Sequence, residues 1–576
     1  MYIRRIYDIE NYRNLSELDF ELDKEITYIV AENNIGKTNF LDLMDIIFNK
    51  FSFKQEDFFD YDKQISLKLI LELTDNEIGY FDDLFSLESK NEICIRILQE
   101  TPEDRIEYIH DTTGAIIPLR KFKTINFLYY ESGRNPNKEL SFNTNVGVGK
   151  VLKFLIHKYM NDNEVDQYGF INKTNIDFLI EETEKSLNKI EYFNNFDLKL
   201  YLDTDKNEIV NKILNLGDLE NRTLMELGDG VKYSLLINLS ILEYIIELKY
   251  GKYKRYYDEI IIDIDDKKLI PLFIALDEPE IHLHPYMQRA LIKYILKLIR
   301  NQDEKFLELL KDLFDIDGIY GQVIVSTHSP NIIFNKYDQI IRMYKYDDTV
   351  NVKSGKSFKL EDEYEKHVLR IFSDIKEAMF SKGIIFVEGS SEAGAILEFC
   401  ERLNIDIDKE SIGVISLDGA DAILKCMEIL SKYDIKSIAI LDRDKYDKYK
   451  DSENIFFTKL MDFEEDIYDS FEFKDYMIFI KNFNPKVLSC FIGGLKKINV
   501  DFNPQNFEND LDDIVITKQQ SNQLKEMYKK TVLQYLSSNK NAVTGRELAK
   551  YVTEIPLSYR DAIEKIKGMV KDNGIN

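Results

Sequence analysis

The chain is short of cysteine, of uninterrupted apolar stretches and of positive charge, and each shortage narrows what it can be. Its 4 cysteines, Cys94, Cys400, Cys426 and Cys490, lie far apart with no paired spacing. That leaves no disulfide framework, and their apolar contexts suit reduced core thiols. No run approaches the roughly 18 to 20 apolar residues of a spanning helix, and the opening MYIRRIYDIENYRNL lacks the apolar core of an export signal. The expected location is the cytoplasm, with no membrane partner. With 76 Lys and Arg against 103 Asp and Glu, the formal net charge is -27. A uniformly acidic surface repels phosphate, so DNA coating by general attraction is excluded, although a local basic groove is not. The richest candidate is KYGKYKRYYDE, where Lys249, Lys252, Lys254 and Arg255 alternate with tyrosines that could stack on bases; a solvated loop is the reading favoured there.

What is present is the patterning of a soluble α/β chain. At 576 residues it exceeds a single core and implies roughly two to four domains. ITYIV at Ile26 to Val30 reads as a strand, AENNIGKT as a turn, and NFLDLMDIIFNKF as a helix. QISLKLILEL and NEICIRIL alternate with period two and predict a flanking antiparallel layer. From about Gly149 to Met225 the pattern turns helical and polar, and beyond about Lys382 strands and helices alternate through GIIFVEG, IGVISLDG and KSIAILDRD. Such a βαβαβ run implies a parallel sheet with right-handed crossovers and ligands at its carboxyl edge, where Glu388, Asp418, Asp442 and Asp444 fall. The resulting division is 1–148, a helical insertion over 149–225, 226–370, and 381–576 with a helical C-terminal extension.

The loop Ala31 to Thr38 keeps the spacing G-x-x-x-x-G-K-[ST] with Ala31 in place of the first glycine. Its backbone amides and the following helix N-terminus would cradle phosphates, with Lys37 reaching the β and γ phosphates and Thr38 giving an oxygen to Mg²⁺. Asn33, Asn34, Ile35, Gly36 and Asn39 complete the predicted ATP contacts. Alanine is tolerated at position 31 if its φ stays negative, whereas Gly36 sits where close backbone approach matters. LFIALDEPEIHLHP ends an apolar strand in adjacent acids: Asp277 is expected to orient Mg²⁺ and Glu278 to polarise the attacking water. VIVSTHSP delivers His328 as a candidate γ-phosphate sensor. His282 and His284 have no third ligand at zinc spacing.

A second set of acids also closes apolar strands. Glu388 and Glu392 in FVEGSSE and Asp442 and Asp444 in LDRD are predicted to meet at one sheet edge and bind Mg²⁺ or Mn²⁺, hard ions that prefer oxygen. Asp462, Glu464 and Glu465 in MDFEED offer further ligands whose orientation the sequence leaves open, with Asp462 and Glu464 favoured. Two ions about 4 Å apart can activate a water and stabilise the leaving oxygen in phosphodiester cleavage. Lys540 is the chosen base to steady the developing charge, ahead of Lys550.

Taken in order, IENYRNLSELDFEL, NNIGKTNFL, LDEPEIHLHP, STHSP, FVEGSSE, LDGAD and LDRD resemble the OLD (overcoming lysogenization defect) family of ATP-dependent endonucleases, in particular the class that includes the nuclease subunit of the Gabija anti-phage defence system. The resemblance implies an N-terminal ABC-type ATPase with a helical dimerisation insertion, followed by a Toprim domain. It implies cleavage or nicking of double-stranded DNA, a homodimer or tetramer, a UvrD-type helicase partner and a role in phage defence. It also makes Gly228 and Gly230, in ELGDG, resemble a signature loop whose amides touch ATP held by a partner subunit. The chain departs from the family at Ala31, in its loose signature loop and in lacking a recognisable glutamine loop. The competing expectation is a nucleotide-switched, SMC-like DNA scaffold that does not cut, against which the insertion is too short and irregular for long coiled-coil heptads. Topoisomerase or primase chemistry is the third, and no tyrosine is marked as its nucleophile.

Overall fold

The computed structural model describes residues 1–571 except 83, 85–88, 90, 134–146, 163–172, 192–197, 203–213, 218–225, 227, 252–253, 335, 360–371 and 373–374. The chain divides into two compact units, Met1–Tyr344 with Val350–Lys359, and Lys345–Thr349 with Leu360–Asn576.

The first unit layers two sheets. β1 (Tyr2–Glu10) pairs antiparallel with β2 (Phe20–Glu21), and β3 (Ile26–Val30) then enters the other sheet and is followed by α1 (Lys37–Asp45). β4 (Ile65–Glu72), β5 (Glu92–Gln99) and β6 (Glu107–His110) return to the first sheet, whose order is β2-β1-β4-β5-β6. The period-two reading of the sequence holds here: Ile65, Leu67, Leu69 and Leu71 on β4 and Ile93, Ile95 and Ile97 on β5 are buried, their neighbours partly exposed. Each such side chain contributes about 1.5–3 kcal/mol by leaving water.

β7 (Phe127–Tyr130) precedes the helices α2 (Gly147–Asp162) and α3 (Lys173–Leu187). Within this segment, read from sequence as helical, the described residues also contain an antiparallel hairpin of β8 (Lys199–Leu202) and β9 (Leu214–Gly217). Its cause is the alternation in LKLYL, which buries Leu198 and Leu200 on one face. α4 (Asp229–Tyr250), β10 (Ile262–Ile264), β11 (Lys267–Asp277), α5 (Pro285–Ile299), α6 (Glu304–Phe314), β12 (Gly318–Thr327), β13 (Ile340–Tyr346) and β14 (Thr349–Ser354) follow. The second sheet runs β10-β11-β12-β3-β13-β14, with β7 parallel to β11. β3, β11 and β12 are parallel neighbours, so their carboxyl ends and the loops beyond them lie together.

The second unit is a four-stranded parallel sheet of β15 (Gly383–Val387), β16 (Ile412–Ser416), β17 (Lys436–Leu441) and β18 (Ile455–Phe457), in the order β16-β15-β17-β18. α7 (Ser390–Arg402) and α8 (Ala420–Lys432) are its crossovers. The predicted α/β fold and its helical extension are present; β18, only three residues long, carries too little pattern to be read from sequence. The extension contributes α9 (Phe463–Ser470), α10 (Phe473–Phe483), α11 (Lys518–Ser538), α12 (Ala542–Ala549) and α13 (Leu557–Lys571). α7 and α12 cross at two glycines. A Cβ on Gly394 would fall 1.9 Å from the Ala542 carbonyl oxygen, and one on Gly545 1.9 Å from that of Ser391. α13 lies on the sheet, with Val570 and Ile566 against Gly383.

All four cysteines are free; Cys400 and Cys426 are buried, but Cys94 is half-buried and Cys490 exposed. The core-thiol expectation therefore fails for Cys490, whose neighbour Phe491 takes the buried position in that turn. Among the described residues no helix is long and apolar enough to cross a membrane.

Candidate functional site

Two constellations form, one in each unit. In the first, β3 is buried throughout and leads straight into the phosphate loop, with Ala31 also buried. Ala31 is outside the positive-φ region, which is why a Cβ is tolerated there, whereas Asn34 has φ 61 and Gly36 φ 122. At Gly36 a side chain would meet Asn14, whose amide donates to the Ile35 carbonyl at 2.8 Å and accepts from Asn39 at 2.7 Å. Arg13 bridges Asn39 and Asp42, both at 2.7 Å. The NYRNL stretch near the start of the chain thus braces the loop from beneath.

The loop's polar side chains face the ends of β11 and β12. Thr38 Oγ1 lies 3.3 Å from Asp277 Oδ2, and Ser326 donates to the other oxygen of Asp277. Lys37 Nζ lies 2.6 Å from His328 Nε2, which is 3.3 Å from Glu278 Oε1. Lys37 is held below its usual value by burial, and His328 below its own by burial and then by Lys37. Lys37, Thr38, Asp277, Glu278 and His328 therefore stand together, and Asn33, Asn34 and Ile35 lie on the loop that leads into them. Gly228 caps the N-terminus of α4 and is exposed, and a Cβ on Gly230 would lie 3.2 Å from the His282 carbonyl.

Two residues here escaped the sequence reading. Ser132, just beyond β7, donates to Asp277 Oδ2 at 3.2 Å, and Glu280 accepts from His328 N at 2.6 Å and from Thr327 Oγ1 at 2.8 Å. The third acid of DEPE was the available signal for Glu280; Ser132 has none. The basic stretch is not a free groove: Lys249 donates to the Phe314 carbonyl at 2.6 Å, Arg255 stacks on Tyr256, and Lys252 lies outside the described residues.

In the second unit β15 and β17 are neighbours and almost wholly buried, so Glu388 and Asp442 are the first side chains past their ends. Glu388 Oε1 accepts from the Asp442 backbone N–H at 3.1 Å. Glu392, in the first turn of α7, is buried; Gly389 N–H donates to its Oε2 at 2.8 Å and Tyr559 to its Oε1 at 2.9 Å. Asp462 caps α9 by accepting from Glu465 N–H at 2.9 Å. Glu464 is buried and pairs with Lys540 at 2.9 Å, while Glu465 turns away to Lys529 at 3.5 Å. Asp444 is exposed and pairs with Lys445 at 2.7 Å, and Lys550 pairs with Glu547 on α12.

Burial first, and then Glu388, Asp462, Glu464 and Asp444, push the Asp442 carboxyl up to about 7. Burial and then Asp442 push Glu392 up to about 8. Carboxyls raised by burial and by neighbouring acids in this way belong to a donor set that a hard divalent cation relieves. Among the described residues no three Asp, Glu, His or Cys side chains converge tightly enough to hold an ion as they stand. Glu388, Glu392, Asp444, Asp462 and Glu464 each lean instead on a protein donor, but the oxygen-only chemistry of the cluster fits the ion. Thr458 was missed by the sequence reading: buried, it accepts from Arg443 N–H at 2.8 Å and fixes the turn that carries Asp442 and Asp444.

A phosphate-loop ATPase unit followed by an acid-edged parallel sheet defines the class. The chain belongs to the AAA ATPase domain family, whose model matches residues 1–111 and 86–333. Residues 379–444 match the Overcoming lysogenization defect protein-like TOPRIM domain, a pairing that implies use of a nucleotide and a divalent metal. The chain is similar to Endonuclease GajA of Bacillus cereus (strain HuB5-5), 24% identical over 525 residues that cover 76% of this chain and 72% of that one. It is similar to the Old nuclease of Escherichia phage P2, 20% identical over 485 residues and 76% of each. The OLD nuclease of Thermus scotoductus (strain ATCC 700910 / SA-01) is 28% identical over 180 residues, 30% of each chain.

Proposed function

We propose that this protein is a metal-dependent endonuclease that cuts or nicks double-stranded DNA under the control of its ATPase unit, in defence against phage. The observation that carries the reading is the pairing of Glu388 with Asp442 at adjacent strand ends, with Asp462 and Glu464 close enough to raise the Asp442 pKa. The relatives named as nucleases support the same reading. In it, Glu388, Glu392, Asp442, Asp444, Asp462 and Glu464 hold Mg²⁺ or Mn²⁺. Bound there, such ions would supply the activation of a water and the charge that offsets the scissile phosphate. Lys540, tethered by Glu464, brings positive charge to the site's edge, where it steadies the phosphate as charge develops.

In the ATPase, assigned residues 1–148 and 226–370, Lys37 and the loop amides bind the phosphates of ATP. Thr38 and Asp277 orient its Mg²⁺, Glu278 polarises water and His328 senses the γ-phosphate. Gly228 and Gly230 would complete the site of a second copy, giving a homodimer or tetramer, with 149–225 as the dimerising insertion. A cytoplasmic location and a UvrD-type helicase partner belong to the same reading. Nucleotide controls cleavage only if the two states of the ATPase bind it with different affinity.

Supercoiled plasmid with Mg²⁺ or Mn²⁺ and graded ATP tests this. Permanent nicks or linear product support it. Unchanged plasmid favours a DNA-binding scaffold ATPase, and resealed topoisomers would indicate topoisomerase action.

A further inference from the structure

The acids of the second unit sit on different elements: Glu392 on α7, Glu464 on α9. Tyr559, near the start of α13, touches both helices. Its ring stands edge-on to Phe399 of α7 and to Phe463 of α9, each centroid 5.9 Å away. Its hydroxyl donates to Glu392 Oε1 at 2.9 Å, and both residues are buried, Tyr559 completely. Glu392 Oε2 is taken by Gly389 N–H, so the carboxylate is pinned at both oxygens, once by its own helix turn and once from 167 positions away. A buried tyrosine needs a partner for its hydroxyl, and water or a backbone carbonyl would serve a purely structural one. Here the partner is an acid of the cluster, and the ring is gripped by the two helices whose acids must keep register.

We propose that Tyr559 is a positioning residue of the metal centre: it orients Glu392 through its hydroxyl and, through its ring, locks the acid-bearing turns of α7 and α9 together. The C-terminal helix thereby becomes part of the site, although its sequence carries no motif. The proposal rests on the metal-centre reading above, but not on cleavage itself.

The test is Tyr559→Phe in the full chain, which keeps the ring between Phe399 and Phe463 and removes only the hydroxyl. Mn²⁺ binding is measured by calorimetry beside a thermal melt in chelator. Partners that orient metal ligands are worth 10–100-fold in affinity, so we expect Mn²⁺ to bind about tenfold more weakly while the melt stays cooperative. In plasmid cleavage the Mn²⁺ concentration for half-maximal rate rises, and the rate at saturating Mn²⁺ changes far less. On a Glu392→Gln background the same substitution adds no further loss. Phe399→Leu loosens the ring without touching an acid, should weaken Mn²⁺ in the same direction, and carries the test if Tyr559→Phe does not fold.

Wild-type Mn²⁺ affinity in the folded variants, equal losses on both backgrounds, or a wild-type chain that binds no Mn²⁺ each overturn the proposal. If the wild type binds Mn²⁺ and does not cut DNA, yet Tyr559→Phe weakens that binding, the nuclease reading falls and the positioning role stands. If the wild type cuts and Tyr559→Phe binds Mn²⁺ unchanged, the positioning role alone falls.

Discussion

Lys37 Nζ and His328 Nε2 lie 2.6 Å apart, so the cation of the phosphate loop and the imidazole beyond β12 meet directly, at the place that the proposed function gives to a terminal phosphate. Burial, and then Lys37, holds His328 below its ordinary value and keeps it neutral at pH 7. Lys37→Met is expected to let His328 titrate at higher pH, readable by histidine NMR without nucleotide. It should also weaken ATP binding about 10- to 100-fold, the worth of a charge-assisted hydrogen bond. An unmoved His328 titration would show that the pair does not interact.

Lys540 is placed by helix packing. α12, which begins just after it, crosses α7 at Gly394 and Gly545. Gly545→Ala puts a methyl into the Ser391 carbonyl and should destabilise the second unit by about 1–3 kcal/mol through overpacking, seen as a lower melting temperature. Cleavage should fall with it, because Lys540 and the Glu392 turn move together.

Lys540→Ala leaves that packing intact and should reduce cleavage by about a hundredfold, the usual cost of losing one charge-stabilising group. Its melt should stay cooperative, since the Lys540 side chain is half exposed, with a lowered midpoint from the unpaired, buried Glu464. Equal cleavage by this variant would remove Lys540 from the site.

Both the fold and the acid cluster were legible where chemistry is written locally. Apolar runs ending in Glu388, Asp442 and Asp277 announce strand ends, and parallel order brings those ends together. Sequence could not say which acid of MDFEED faces inward. That is decided by Asp462 capping α9, which turns Glu464 toward Lys540 and Glu465 toward Lys529. Tyr559, Thr458 and Ser132 were invisible because their roles come from contacts with residues distant or unmarked in sequence. The hairpin Lys199–Leu202 with Leu214–Gly217 was missed because its strands are short and lie among helices.

Asp23 gives a pH test of the first unit. Burial alone would raise its pKa, but the Lys356 ammonium at 2.7 Å and the amides of Glu25 and Ile26 hold it below the ordinary value. A carboxyl depressed in the folded state stabilises fully above its unfolded pKa of about 3.9, and that stability is lost as pH falls through the folded value. Asp23→Asn should therefore cost about 1–3 kcal/mol at neutral pH, with the gap from wild type closing below about pH 4. Urea denaturation of both chains across pH 3 to 7 measures it, and a pH-independent gap would contradict the ion pair.

In the proposed function, acids from separate strands hold catalytic cations beside a DNA backbone. The decisive variants are Glu388→Ala and Asp442→Ala, each assayed on supercoiled plasmid in Mg²⁺ and in Mn²⁺ and checked by thermal melting. Both variants are expected to keep a wild-type-like cooperative melt and to yield no nicked or linear product. Cleavage at the wild-type rate by both would contradict it.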